Sequence, residues 1–129
     1  VKKKPSKYRN VRTGYRGVTF ASKAEAQYAE MLDLLTANGE VAWWMPQPRI
    51  RLGADTIYVP DFLVVERDDQ YFVDVKGVET AVFRMKKGLW KKYGPCELRV
   101  VSLKNGRWSS VFVTPERAKP VSGCGVLLD

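Results

Sequence analysis

Apolar residues recur along the chain in two rhythms, and each change of rhythm marks an element. Ala24, Tyr28, Met31, Leu32 and Leu35 share one face at helical spacing. Ahead of them, Ser22-Lys-Ala-Glu25 has the form of a capping box, and behind them Asn38-Gly39 is a helix-ending pair. The pattern predicts a helix to about Ala37, preceded by a short strand at Gly17–Phe20. Residues 41–52, with Trp43, Trp44, Pro46 and Pro48, read as a loop closing in a short strand over Arg49–Leu52.

Ile57–Glu66 and Tyr71–Lys76 are rich in β-branched and aromatic residues and read as two strands, separated by the polar turn Arg67-Asp-Asp-Gln70. Thr80–Tyr93 reads as a second helix with Val82, Met85, Leu89 and Tyr93 on one side, ending at Gly94-Pro95. Two more strands, Glu97–Leu103 and Trp108–Val113, flank the tight turn Asn105-Gly106. This order predicts an α/β fold, a sheet with helices packed on it. The expected organisation is a basic arm over 1–16, a core domain over 17–114 and a tail over 115–129.

Composition narrows the chemistry. A chain of 129 residues that is 45% hydrophobic is enough for one domain with a real core. No run approaches the roughly 18 apolar residues of a membrane span. The basic start is not followed by an apolar segment, so no secretory signal is read and a cytoplasmic protein is expected. Cys96 and Cys124 match no zinc-ligand spacing, and free thiols are expected over a disulfide. There is no histidine. That removes Ser-His-Asp and Cys-His catalysis and histidine bases together, leaving carboxylates, lysine, tyrosine, or a hard cation held by oxygen ligands.

The net charge is +8 and is unevenly spread. Lys2 to Arg16 and Arg84 to Lys92 are basic stretches without an acid, interleaved with Tyr8, Tyr15, Phe83, Trp90 and Tyr93. Such a surface suits a polyanion, with Lys7, Arg9, Arg12, Arg16, Lys23, Arg84, Lys86, Lys87 and Lys91 as the candidate nucleic-acid contacts. A solubilising face with a basic tail is the plainer reading of the same charges.

The two central strands carry the candidate chemistry. If Asp68-Asp69 form a two-residue turn, Asp61 lies opposite Lys76 and Leu63 opposite Asp74. Asp61, Asp74 and Lys76 then project to one side, the two acids as diagonal neighbours roughly 7–8 Å apart. Both could reach one cation at about 2.1 Å per bond. Leu63, Val65 and Phe72 share that face, so the acids border an apolar layer where carboxylates need a partner or a metal. A simple Asp74–Lys76 ion pair is the structural alternative. On the catalytic reading, Asp61, Asp74 and the Val75 carbonyl hold magnesium, and Lys76 orients or helps deprotonate a water. Glu25 lies about 70° from the centre of its helix's apolar stripe, near enough to border the sheet, although capping alone would explain it.

Tyr58-Val-Pro60-Asp61-Phe62 followed by Tyr71-Phe-Val-Asp74-Val75-Lys76-Gly77 resembles the paired motif of the PD-(D/E)XK nuclease superfamily, with Asp in the Asp/Glu slot. Phe20-Ala-Ser-Lys-Ala-Glu25-Ala, Gln47-Pro48 and Thr80–Tyr93 resemble its small phage-encoded members, so the likeness spans roughly residues 7–103. It implies a mixed central sheet flanked by helices, a restriction-endonuclease-like core, and cleavage of DNA with magnesium, for which manganese should substitute. By that likeness Glu25, Asp61, Asp74 and Lys76 take the catalytic positions, with Glu25 also a metal ligand and Gln47 a weaker candidate. A structure-selective enzyme acting on branched DNA, such as a Holliday junction resolvase, is the preferred member, working in the host cytoplasm if phage-encoded. The alternatives are a non-enzymatic or inactive nucleic-acid-binding module and an RNase. Coordinated cutting of two strands calls for two sites, so a homodimer is expected, with Trp43 and Trp44 as candidate contacts. No small-molecule cofactor and no membrane partner are expected.

Overall fold

A computed structural model of the chain describes residues 12–53 and 55–116. Lys7 and Arg9, most of the arm, Cys124 and nearly all of the tail lie outside the described residues. Five strands form a central mixed sheet: β3 (Trp43–Pro46), β6 (Phe62–Val65), β7 (Gln70–Val75), β8 (Leu98–Lys104) and β9 (Arg107–Val113), in the order β3-β6-β7-β8-β9. Only β7 and β8 run parallel, and helix α2 (Ala81–Tyr93) makes the crossover between them. The expected α/β architecture with a mixed sheet is what forms.

Each sheet face is covered by one helix. Helix α1 (Lys23–Ala37) buries Ala26, Tyr28, Ala29 and Leu32 against Phe62, Val64, Tyr71, Val73 and Val101. Helix α2 buries Phe83 and Trp90 against Leu63, Phe72, Leu98 and Val113. The alternation of side chains along β6 and β7 sends neighbouring residues into opposite layers. The α1 boundaries follow the sequence pattern: Ser22 Oγ accepts from the Glu25 amide at 3.1 Å, and Gly39 takes the left-handed backbone at φ 83° after the Asn38 cap. A two-stranded hairpin, β1 (Thr13–Tyr15) with β2 (Val18–Phe20), packs on α1. Asp33 of α1 ties it down, accepting from Tyr15 Oη at 2.7 Å and pairing with Arg16 at 3.3 Å, while Trp44 Nε1 donates to its other oxygen at 3.0 Å. Thr13–Tyr15, placed in the arm on sequence grounds, is therefore a strand.

Four further expectations are corrected. The segment 41–48 contains strand β3, because an edge strand tolerates Pro46 at its end. The single strand Ile57–Glu66 is two. Pro60 breaks it, and β5 (Ile57–Tyr58) pairs with β4 (Ile50–Arg51) in a separate ribbon while β6 enters the central sheet. On α2, the stripe Val82, Met85 and Tyr93 faces outward and only Leu89 of that set is half-buried, since Phe83 and Trp90 claim the sheet. The turn between β6 and β7 is centred one residue earlier than expected, with Glu66 N donating to Asp69 O at 2.8 Å and Val65 paired with Gln70.

Trp90 is the anchor of the α2 layer. It is fully buried, packs edge-on against Tyr58 and Phe72 at 5.7 and 5.2 Å, and donates its indole N–H to Cys96 O at 2.7 Å. Cys96 is a buried free thiol. Gly94 ends the helix with an ordinary φ of −61°, so its need for glycine is spatial: a Cβ there would sit 2.6 Å from Trp90 Nε1. Gly94→Ala should cost about 1–3 kcal/mol in chemical denaturation, because the buried indole has nowhere to shift.

Candidate active site

Strand register decides which acids meet. The pairing Phe62↔Val73, continued by one residue, sets Asp61 opposite Asp74. This differs by two residues from the expected register, which placed Lys76 opposite Asp61 and Leu63 opposite Asp74; Leu63 in fact pairs with Phe72. A two-residue slip preserves the facing of every side chain. Asp61 and Asp74 are consequently not diagonal neighbours but directly across from each other, on the face covered by α2.

Two backbone features fix Asp61 there. Its carbonyl accepts from Gln47 N at 2.9 Å, prolonging the β3–β6 ladder, and its Oδ2 accepts from Val75 N at 2.7 Å. Asp61 thus supplies by side chain the acceptor that strand pairing no longer provides after the Pro60 break. The N–H and C=O of a strand residue point to the same edge, which directs the Val75 carbonyl toward Asp61 as well. Gln47, a weaker candidate, has an exposed side chain and a left-handed backbone at φ 54°, and meets the site through its amide.

Asp74 is only 3% exposed. Its Oδ2 receives the hydroxyl of Tyr58 and lies 3.6 Å from Lys76 Nζ, an ion pair rather than a hydrogen bond. Lys76 Nζ also lies 4.5 Å from the centre of the Phe83 ring, which holds the ammonium beside the acids. Burial, then the charge of Asp74 and a hydrogen bond shared with it, push the Asp61 carboxyl up to about 10. Burial, followed by the Asp74 charge, also raises the Tyr58 phenol.

Glu25 comes from the opposite layer, since α1 covers the other face of the sheet. Its Oε2 accepts from Ala21 N at 3.3 Å, completing a cap that reaches one residue further back than the serine. Burial raises its carboxyl, the Ala21 amide lowers it, and Asp74 raises it further; Asp61 in turn feels Glu25. Glu25 therefore caps its helix and also lies within electrostatic reach of the pair. Among the described residues, no three acids or cysteines are already gathered as a ligand cluster. The core of the site is the Asp61–Asp74 pair, with Glu25 at its border.

The donor set fits a hard divalent cation. Burial and the neighbouring Asp74 charge raise the cost of ionising Asp61, and a doubly charged ion between the two carboxylates would reverse that cost. Asp61, Asp74 and the Val75 carbonyl are the groups that would hold it. The structure thus brings together Asp61, Asp74, Lys76 and the Val75 peptide, with Glu25 alongside.

The basic candidates divide. Arg12, Lys23, Arg84 and Lys91 are exposed. Lys86 and Lys87 are half-buried, their ammonium groups 5.7 Å from the Tyr58 ring and 5.8 Å from the Phe83 ring. Lys87 is engaged by Glu79 at 3.0 Å and Arg16 by Asp33. Trp44 is half-buried against Phe62, whereas Trp43 is 49% exposed on the edge strand.

Sequence reasoning missed Tyr58, although it stands three residues before Asp61. The available signal was Asp74 itself, a carboxylate on an apolar face that requires a donor.

No helix among the described residues is long and apolar enough to cross a membrane. No curated protein and no solved structure matches the chain. One family profile does match, over residues 5–107, a span that contains every residue of the Asp61–Asp74 site. The chain belongs to that family, described as a protein of unknown function, DUF1064.

Proposed function

We propose that the protein is a magnesium-dependent endodeoxyribonuclease with a restriction-endonuclease-like core. The observation that carries this reading is the pairing of Asp61 with Asp74 across two strands, with the Lys76 ammonium 3.6 Å from Asp74. Acids and a lysine suffice for metal-assisted phosphodiester hydrolysis without a histidine, and the strongly basic chain suits a polyanionic substrate. The motif resemblance points the same way.

The bound ion would polarise a phosphate oxygen and acidify a water. The Val75 N–H holds one oxygen of Asp61. Lys76, steadied over Phe83, orients the attacking water and offsets charge as the phosphorus adds a fifth oxygen. Glu25, at the border of the site, is placed to help order that water or the ion. The exposed Arg84 and Lys91 of α2, with Lys86, would receive the DNA backbone. Branched DNA is the preferred substrate and a homodimer the working form, because paired incisions need two sites.

The test is cleavage by the purified protein with magnesium on supercoiled plasmid, linear duplex, single strands, a four-way junction and RNA. Cutting of DNA, greatest on the junction, is expected, with manganese able to replace magnesium. Cutting of RNA alone would make it an RNase, and binding without cutting under any divalent ion would make it a nucleic-acid-binding module. DNA affinity in EDTA should fall steeply with salt, and Arg84→Ala or Lys91→Ala should each lower the slope of log K against log salt by about one.

A further inference from the structure

Each acid of the pair has one oxygen tied by a donor from the protein. For Asp61 the donor is the Val75 amide, 2.7 Å from Oδ2, and for Asp74 it is the Tyr58 hydroxyl on Oδ2. The first tether is backbone, fixed by the sheet. The second is a side chain carried on a different ribbon, β4–β5, and so is a separate element of the design.

Tyr58 is built to hold still. It is 4% exposed, its ring packs edge-on against Trp90 at 5.7 Å and tilted against Phe83 at 6.4 Å, and the Lys86 ammonium lies 5.7 Å from its centre. A phenol so packed has little freedom except rotation of its O–H. Lys76 approaches the same oxygen of Asp74 that Tyr58 holds. The contacts from Tyr58 and Lys76 thus gather on Oδ2 and, with the hydrogen bond shared with Asp61, set the plane in which the Asp74 carboxylate would meet an ion.

We infer that Tyr58 is a positioning residue that orients the Asp74 carboxylate for a shared divalent cation. This rests on the nuclease reading above and adds to it a residue that never touches the ion or the substrate. Hydrogen bonds to a metal's carboxylate ligand commonly govern affinity by about 10–100-fold. Tyr58→Phe removes the tether and leaves the ring. The packing against Phe83 and Trp90 stays, while the carboxylate of Asp74 is free to turn.

The experiment compares wild type, Tyr58→Phe, Asp74→Asn and Leu52→Val. Manganese affinity is read by calorimetry on the full chain, melting temperature without metal, DNA affinity in EDTA, and cleavage with manganese. Leu52 lies in the same apolar layer and controls for loosened packing. Tyr58→Phe should weaken manganese binding by about tenfold or more and lower kcat with KM for DNA and affinity in EDTA unchanged. Leu52→Val should lower the melting temperature without moving manganese affinity. If Tyr58→Phe binds manganese within twofold of wild type while Asp74→Asn loses it, the positioning role is overturned and the nuclease reading stands. If Leu52→Val weakens manganese binding as much as Tyr58→Phe, packing and not the hydroxyl is responsible, and the role is overturned again. A wild type that neither binds manganese nor cuts DNA overturns both readings at once.

Discussion

Replacing Asp74 by alanine should reduce DNA cleavage at least about a thousandfold, a loss near 4 kcal/mol of transition-state stabilisation, with DNA binding unchanged or tighter. Asp74 is the most committed residue of the site: buried, opposite Asp61, and contacted by both Tyr58 and Lys76. Its removal takes away one of two carboxylates available to the ion and leaves the Lys76 ammonium without its partner. Binding should survive because the proposed phosphate contacts, Arg84 and Lys91 of α2 with Lys86, are separate from the acids. One negative charge fewer beside the DNA backbone favours tighter association. Asp74→Asn separates charge from fold, since an amide oxygen can still receive the Tyr58 hydroxyl. The two substitutions should abolish cutting alike, while the asparagine variant keeps more of the melting temperature. Single-turnover cleavage and fluorescence anisotropy on the same DNA measure both effects.

The second large effect concerns stability. Asp61 is pushed from 3.8 up to about 10, by burial first and then by Asp74. The folded protein therefore holds this proton more tightly than the unfolded chain does. Its contribution is fully present below about pH 4 and is lost as pH rises toward 10. Asp61→Asn removes the clash of charge and keeps an oxygen for the Val75 N–H. The metal-free variant should match wild type near pH 4 and exceed it increasingly above, reaching about 1–2 kcal/mol, or roughly 3–8 °C, at neutral pH. Magnesium should narrow the gap, because only wild type retains both acids to bind it. The same variant should be inactive. Such an inverse relation between stability and activity is expected where like charges are held together for a purpose.

Local signals in the sequence carried through to the structure. Ser22 and Glu25 mark the start of α1 because capping involves neighbours within one turn. Asn105-Gly106 marks its hairpin because both residues adopt positive φ, 52° and 75°. The convergence of Asp61, Asp74 and Lys76 was legible for a different reason. Facing in a sheet depends only on parity, so the two-residue error in register left every side chain on its correct side and moved the acids closer together.

Competition between distant parts of the chain was not legible. On α2, Val82, Met85, Leu89 and Tyr93 form as regular a stripe as Phe83 and Trp90 do, and spacing alone cannot rank them. The sheet selects Phe83 and Trp90, and the ammonium groups of Lys86 and Lys87 come to lie beside the Tyr58 and Phe83 rings. Tyr58 was hidden by the Pro60 break, which sends it to another ribbon before returning its hydroxyl to Asp74. Trp43–Pro46 looked like a loop because Pro46 and the nearby Pro48 argue against a strand everywhere except at an edge.

A crystal grown with manganese decides whether Asp61 and Asp74 grip one divalent cation. An anomalous peak is expected between the two side chains, within about 2.0–2.2 Å of a carboxylate oxygen from each, and its loss in Asp74→Asn crystals. Ordered carboxyl groups with the manganese elsewhere, or with none bound at saturating concentration, would contradict it.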